Sequence, residues 1–149
     1  MTEFGDRPTP VPQEPAQNIP AGYQQLDLYD PFEAYVGPVF QKANADAPIS
    51  FEVEPRHADA NGFAHPGMLL TFADTAIGNY VWAKVDWKPN VTLSMQAQFM
   101  GKAKIGDLVV CVPEMIQKTR AVAFVKGTFT VTDTPIMTVS SLWKMIGAR

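Results

Sequence analysis

The sequence predicts an α+β domain in which a curved antiparallel sheet wraps around one long, buried helix. Three observations carry this reading. Residues 67–83 place Met68, Leu69, Leu70, Phe72, Ala73, Ile77, Tyr80, Val81 and Trp82 around nearly the whole circumference of a helix, and a helix that is apolar on every side is a buried one. After it, Val91, Leu93, Met95, Ala97 and Phe99 alternate with Thr92, Ser94, Gln96 and Gln98, the period of a strand with one face on a core and the other polar. Three further strand-like segments follow, 107–118, 121–132 and 135–146, joined by Thr119-Arg120 and Asp133-Thr134. That order is an antiparallel meander behind a single helix.

The earlier elements follow from local signals. Five of the thirteen prolines, Pro8, Pro10, Pro12, Pro15 and Pro20, fall in the first twenty residues among Thr, Gln and Glu, so residues 1–22 read as a flexible, proline-rich acidic arm. Residues 23–149 read as one domain. The alternative to a flexible arm is one ordered against a partner subunit, since Tyr23, Leu26 and Leu28 follow at once and could dock. Asp30-Pro31 has the form of an N-cap with proline at the first helical position, opening a short helix to about Tyr35 that Gly37-Pro38 ends. Residues 39–42 and 49–54 suit a hairpin around Asn44-Ala45-Asp46. Residues 56–64 carry His, Asp, Asn and Gly without apolar periodicity and read as a loop. Pro66 can start the long helix.

Composition excludes several classes of function. A chain of 149 residues is one domain's worth at roughly 100–200 residues per domain. Cys111 stands alone, so neither an intrachain disulfide nor a cysteine-based metal cluster is expected. The net charge of −3 is concentrated in residues 1–30, where Glu3, Asp6, Glu14, Asp27 and Asp30 face only Arg7. A near-neutral body behind an acidic start is no footprint for a nucleic-acid binder. No apolar run approaches membrane-spanning length, and residues 1–20 lack the basic and apolar regions of a secretory leader. The expectation is a cytoplasmic protein with no nucleic-acid or membrane partner.

The chemistry concentrates in 57–74, which holds both histidines, His57 and His65. With a helix starting near Pro66, Gly67, Thr71, Asp74, Thr75 and Gly78 share one face. A small-and-polar strip thus runs along a greasy cylinder. Burial would push the pKa of a carboxyl on that strip up, and hydrogen bonds from a helix terminus would oppose it. That tension is common where a carboxylate acts as base or nucleophile.

A polar residue, a Gly, then His65-x-Gly67 and Asp74 nine positions after the His, followed by the strand near 91–100 and by Ala103-Lys104-x-Gly106-Asp107, resembles the PaaI-like hotdog-fold acyl-CoA thioesterases, relatives of 4-hydroxybenzoyl-CoA thioesterase. The likeness spans roughly residues 35–146. It implies a hotdog fold, with the helix as the "sausage" in the wrapped sheet, two subunits pairing their sheets edge to edge, and active sites at the subunit interface. It implies acyl-CoA as substrate, with medium-chain or aromatic acyl groups, a homodimer or dimer of dimers, and no cofactor beyond the coenzyme A of the substrate and no metal. Asp74 matches the catalytic acid, as general base or nucleophile. Asp59, six before His65, stands where the family usually has Asn or Gln near the thioester. Thr92 matches a hydroxyl residue that orients the attacking water. His65 fixes the loop and opens the helix, whose N-terminus would face Asp74 of the partner subunit.

Two departures bear on this. The family's His-Gly-Gly supplies a backbone N–H to the thioester oxygen, but Pro66 occupies that position and has no such hydrogen. Loss of one such donor costs about 2.7–4 kcal/mol unless the N–H of Gly67 or Met68 substitutes. Asp59 in place of an amide removes N–H donors and adds a charge, and two neighbouring carboxylates would share a proton. Lys102 and Lys104, with Lys84, Lys88 and Arg120 behind them, are candidates for the phosphates of coenzyme A or plain solvated side chains. Phe63 and Met68, ahead of Tyr80, Trp82 and Trp87, are candidates for the acyl pocket or for core. Two further readings stay open: a hotdog enoyl-CoA hydratase using Asp59 and His65, and a non-catalytic acyl-CoA-binding dimer. Drawing His57, Asp59, His65 and Asp74 together as metal ligands is chemically possible, but the resemblance calls for no metal.

Overall fold

The computed structural model describes residues 8–147. Among the described residues one seven-stranded antiparallel sheet runs in the order β1-β2-β3-β5-β6-β7-β4. The chain order is β1 (Tyr23–Gln25), α1 (Pro31–Val36), β2 (Phe40–Lys42), β3 (Ile49–Glu52), a 3-10 turn (Pro55–His57), α2 (Pro66–Lys84), β4 (Asn90–Phe99), β5 (Leu108–Lys118), β6 (Val122–Val131) and β7 (Thr134–Met145). The single long helix and the meander behind it match the sequence reading. Helix α2 packs against β3, β4, β5, β6 and β7, so the sheet curves around it.

The core lies between that helix and the sheet. Phe72 of α2 sits 4.6 Å from Phe51 of β3 and 5.8 Å from Phe129 of β6, ring centre to ring centre, and Ile77, Val81, Val109, Val125 and Met137 are fully buried around them. Close approach of helix and sheet depends on Gly127. A Cβ there would lie 2.9 Å from the Phe129 ring and 3.1 Å from Ile77 Cδ1. Cys111 is buried, and its thiol pKa is raised by loss of solvent, which leaves it inert as a nucleophile.

The described part of the expected arm lies along the domain. Val11 N–H donates to the Leu28 carbonyl at 2.8 Å, the Gln13 side chain donates to the Leu26 carbonyl, and Gln25 bonds Ala16 and Glu14 through its amide. This differs from a free arm because Val11 N–H, Ala16 N–H and the Gln13 amide find partners in or next to β1, a three-residue strand too short to show periodicity. Residues 1–7 lie outside the described residues.

The short helix α1 is pinned at both ends. The Asp30 carboxylate accepts from Glu33 N–H at 2.7 Å, the N-cap expected of Asp-Pro. At its other end Arg56 donates to the carbonyls of Tyr35 and Gly37. His57 Nε2 bonds the Val36 carbonyl at 2.7 Å while His57 Nδ1 accepts from Glu54 N–H at 3.0 Å. That pattern assigns the neutral ring with its proton on Nε2. Burial, first of all, lowers the pKa of His57, so it stays neutral as a brace between α1 and the 3-10 turn.

Candidate active site

A β-bulge sets the site. Strand β4 pairs with β7 as Thr92↔Trp143, then Ser94↔Leu142 and Met95↔Ser141, with Leu93 as the extra residue. Opposed residues share a face, and Trp143 and Ser141 are buried while Lys144, opposite Val91, is exposed. The simple alternation read from the sequence therefore holds for Met95, Ala97 and Phe99 but not before the bulge. Val91 points away from the helix and Thr92 towards it, the re-aiming that bulges bring about.

The consequence is a direct contact. Thr92 Oγ1 donates to Asp74 Oδ1 at 2.6 Å, the short length of a hydroxyl bonded to a carboxylate. Asp74 is exposed on the surface of α2 in the single chain, which corrects the expectation of a buried carboxyl. Beside it opens a cavity of about 310 Å³ lined by Asp30, Phe32, Glu33, Leu70, Thr71, Asp74 and Thr75. Thr71 spends its hydroxyl on the Gly67 carbonyl at 2.9 Å. Thr75, buried, donates to Glu33 Oε1 at 3.0 Å. Glu33 is half-buried and its pKa is raised, chiefly by loss of solvent and then by the charge of Asp30, against opposing bonds from Thr75 and from the backbone at Tyr29, with the charge of Asp74 the smallest upward influence. The sequence reading did not find Glu33. Its only local signal was an acid at N3 of a capped helix, and with Asp30 already capping, its side chain reaches 42 positions along the chain instead.

The start of α2 holds the other candidates. His65 is the N-cap, and its Nδ1 accepts from Gly67 N–H at 2.9 Å. Met68 N–H donates to the His65 carbonyl at 2.8 Å. Both amides expected to replace the donor lost at Pro66 are therefore engaged within the chain, a correction to the expected role of Gly67. Met68 is 9% exposed and belongs to the core, which corrects its reading as a pocket residue.

Asp59 organises the preceding loop. Its Oδ1 accepts from Asn61 N–H at 2.8 Å and Phe63 N–H at 3.1 Å, and these two bonds lower its pKa. The neighbouring charges that act on it are Lys102 and His65, so within one chain it is not the proton-sharing partner of Asp74 that the sequence reading entertained. Phe63 bridges to Lys104, and Lys102 Nζ sits 4.9 Å from the Phe63 ring centre. Asp59, Phe63, His65, Lys102 and Lys104 thus gather at one end of α2. Asp74 and Thr92 lie apart, since nine residues of helix rise separate His65 from Asp74 by roughly 13 Å.

The remaining candidates fall elsewhere. Tyr29, Trp82 and Trp87 pack on each other with ring centres 5.2–6.1 Å apart. Lys84 pairs with Asp46 at 3.0 Å. Among the described residues no group of three or more His, Cys, Asp or Glu side chains could hold a metal, and no helix is long and apolar enough to cross a membrane.

A family model described as the thioesterase superfamily matches residues 61–137, from the Asp59 turn through α2 and β4 to β7. The chain belongs to the thioesterase superfamily. A Pseudomonas aeruginosa protein described as a candidate esterase, PA0474, is 31% identical over 93 residues, covering 60% of this chain and 69% of that protein. The smu.793 protein of Streptococcus mutans, solved bound to acetyl CoA, superposes with a TM-score of 0.62 at 21% identity, over 69% of this chain and 82% of its own. The PaaI protein of E. coli, from the phenylacetic acid degradation operon, gives a TM-score of 0.63 at 14% identity, over 68% and 73%. At these identities the structural likeness establishes the hotdog fold. The resemblance to PaaI-like hotdog thioesterases read from the sequence is borne out in family and fold.

Proposed function

We propose that this thioesterase-superfamily chain hydrolyses acyl-CoA thioesters, with Asp74 as general base and Thr92 as the hydroxyl that holds it. The observation that carries the proposal is the 2.6 Å bond from Thr92 Oγ1 to Asp74 Oδ1 at the mouth of a cavity on the central helix. With Oδ1 taken by Thr92, the other carboxylate oxygen is free to accept a proton from water. The hydroxide equivalent adds to the thioester carbonyl, the tetrahedral intermediate expels coenzyme A as thiolate, and the proton on Asp74 is released to restore the site. Medium-chain or aromatic acyl groups are the proposed substrates, and the Phe32 and Leu70 walls of the cavity suit an apolar chain or ring.

The thioester oxygen needs donors, and the N-terminus of α2 is the candidate. There the His65 ring already accepts from Gly67 N–H, so that amide becomes a donor to the thioester only once the ring turns away. Within one protomer that terminus is too far from Asp74 to serve it, which favours a site completed by a second copy. Strand β4 supports this reading. It is the sheet edge, ten residues long, and exposes Val91, Leu93 and Phe99, the kind of edge that pairs with another strand. Lys102 and Lys104, exposed at the helix-start end, are proposed to meet the coenzyme A phosphates. The hydratase reading has less support, because Asp59 Oδ1 is occupied by two backbone amides.

The test is release of free thiol from a panel of acyl-CoA esters by the native chain and by Asp74→Asn. Hydrolysis by the native chain and loss of at least 100-fold in the variant is expected. Full activity in Asp74→Asn removes Asp74 from the mechanism, and tight binding of acyl-CoA without thiol release leaves a binding protein.

A further inference from the structure

Helix α1 brings a second carboxyl to the cavity beside Asp74. Six residues long, it would be a marginal element alone, yet it is held by the Asp30 cap, by Arg56 on two of its last carbonyls and by the neutral His57 ring on a third. What that fixed helix presents to α2 is Glu33, received by the buried hydroxyl of Thr75. Thr75 is the immediate neighbour of Asp74. The same cavity is lined by both carboxyls and by Asp30.

We infer that Glu33 is a positioning residue for the reaction at Asp74: carried on α1 and bonded to Thr75, it must be uncharged while Asp74 is charged for an acyl-CoA to be turned over. This rests on the hydrolase reading given above. The physical reason is the sign of the charges. An ionised substrate is already rich in phosphate, and addition to the carbonyl creates an oxyanion and then a thiolate. With Asp74 ionised as the base, a second charge on Glu33 would stand in the same small space and oppose both.

The groups that bear on Glu33 act in opposite directions, and those that raise its pKa prevail. Asp30 from the start of α1 and Asp74 from α2 both repel its charge, and burial removes the water that would otherwise support it. The bonds from Thr75 and from the backbone at Tyr29 act against these, weaker than burial and the charge of Asp30 but stronger than the charge of Asp74. Glu33 thus loses its proton on the alkaline side of the ordinary glutamate range, and kcat/KM should fall as it does so.

The experiment combines a carboxyl titration followed by NMR of side-chain-labelled glutamate with pH profiles of kcat/KM for the full chain, Glu33→Gln and Glu33→Ala. Glutamine can still accept from Thr75 but cannot ionise. The expected result has three parts: a Glu33 midpoint that drops in Asp74→Asn, a native profile that falls above that midpoint, and a Glu33→Gln profile without the fall. One pH unit above the midpoint, Glu33→Gln should outpace the native chain by about tenfold relative to their ratio at low pH. Equal losses in Glu33→Gln and Glu33→Ala at every pH would mean that Glu33 only braces the helix, which overturns the inference. If the native chain releases no thiol from any acyl-CoA, the hydrolase reading fails by itself, and a Glu33 midpoint indifferent to Asp74→Asn then overturns the carboxyl pair as well.

Discussion

Replacing Thr92 by Val isolates the contact on which the site depends. Valine keeps the branched shape and suits a strand, so the fold should tolerate it within about 0.5 kcal/mol. What disappears is one hydroxyl bond of 2.6 Å to a carboxylate. Hydrogen bonds to charged groups contribute about 1.5–3 kcal/mol, and because both side chains are exposed in the protomer the lower end applies. At 1.36 kcal/mol per factor of ten, about 1.5 kcal/mol predicts a kcat reduced about tenfold. KM should change little, since the lost bond orients the base and does not touch the bound acyl group. Thr92→Ser, which retains the donor, should stay within about threefold of the native rate, a little under half of that penalty in kcal/mol. The assay is continuous thiol release from the best acyl-CoA, with thermal melts in parallel. A native kcat in Thr92→Val, or equal loss in Thr92→Ser and Thr92→Val with both folded, refutes the role given to the hydroxyl.

Other outcomes follow from the packing and the titrating groups. The unfolded chain protonates His57 more readily than the fold does, because the folded pKa lies below the ordinary 6.5. Its contribution is therefore present above about pH 6.5 and lost as pH falls through the folded value. Glu33 runs the other way, contributing below its ordinary 4.5 and losing that contribution as pH rises through its raised folded value. Melting temperature measured against pH should fall less steeply below pH 6.5 in His57→Gln, with the decline at lower pH from Asp59, whose pKa is also lowered, left in place, and an unchanged decline below pH 6.5 would contradict the brace. Gly127→Ala should lower stability by about 1–3 kcal/mol in denaturant titrations through overpacking against Phe129 and Ile77, and a native midpoint would show that the helix can yield there. Leu93→Asp puts a charge on the β4 edge, so sedimentation should show monomers if that edge pairs, and a persistent dimer would place the interface elsewhere.

What the sequence made legible was whatever a single element can announce. The largely apolar pattern of 67–83, broken only by one small-and-polar strip, announced α2, and Asp30-Pro31 announced α1 because a cap and a fixed φ are local chemistry. Asp74 and Thr92 were reached through resemblance in spacing, and the structure brings them into contact. Glu33 was not legible, since its bond to Thr75 spans two helices and nothing within α1 reports where α1 docks. Gly67 and Met68 misled for the opposite reason. A helix start has open amides in general, but the His65 ring and carbonyl close these two, and no spacing rule states which way a capping side chain turns.

The bulge at Leu93 joins these observations. With strict alternation from Phe99 back through Ala97 and Met95, Leu93 and Val91 would fall on the helix side and Thr92 on the outer side, where it could not reach Asp74. One extra residue reverses that. It sends Thr92 inward to the carboxylate and Val91 outward, and leaves Leu93 unpaired at the edge of the sheet; Val91 and Leu93 are 46% and 53% exposed. The same local irregularity that brings Thr92 to Asp74 therefore lies on an exposed sheet edge, the kind of edge that pairs with another strand. On the proposed mechanism the helix-start donors lie roughly 13 Å away along α2, and the proposed second chain laid against β4 would carry its own helix start towards Asp74. Catalytic geometry and association would then share one cause in the sequence, an interrupted alternation between Thr92 and Ser94.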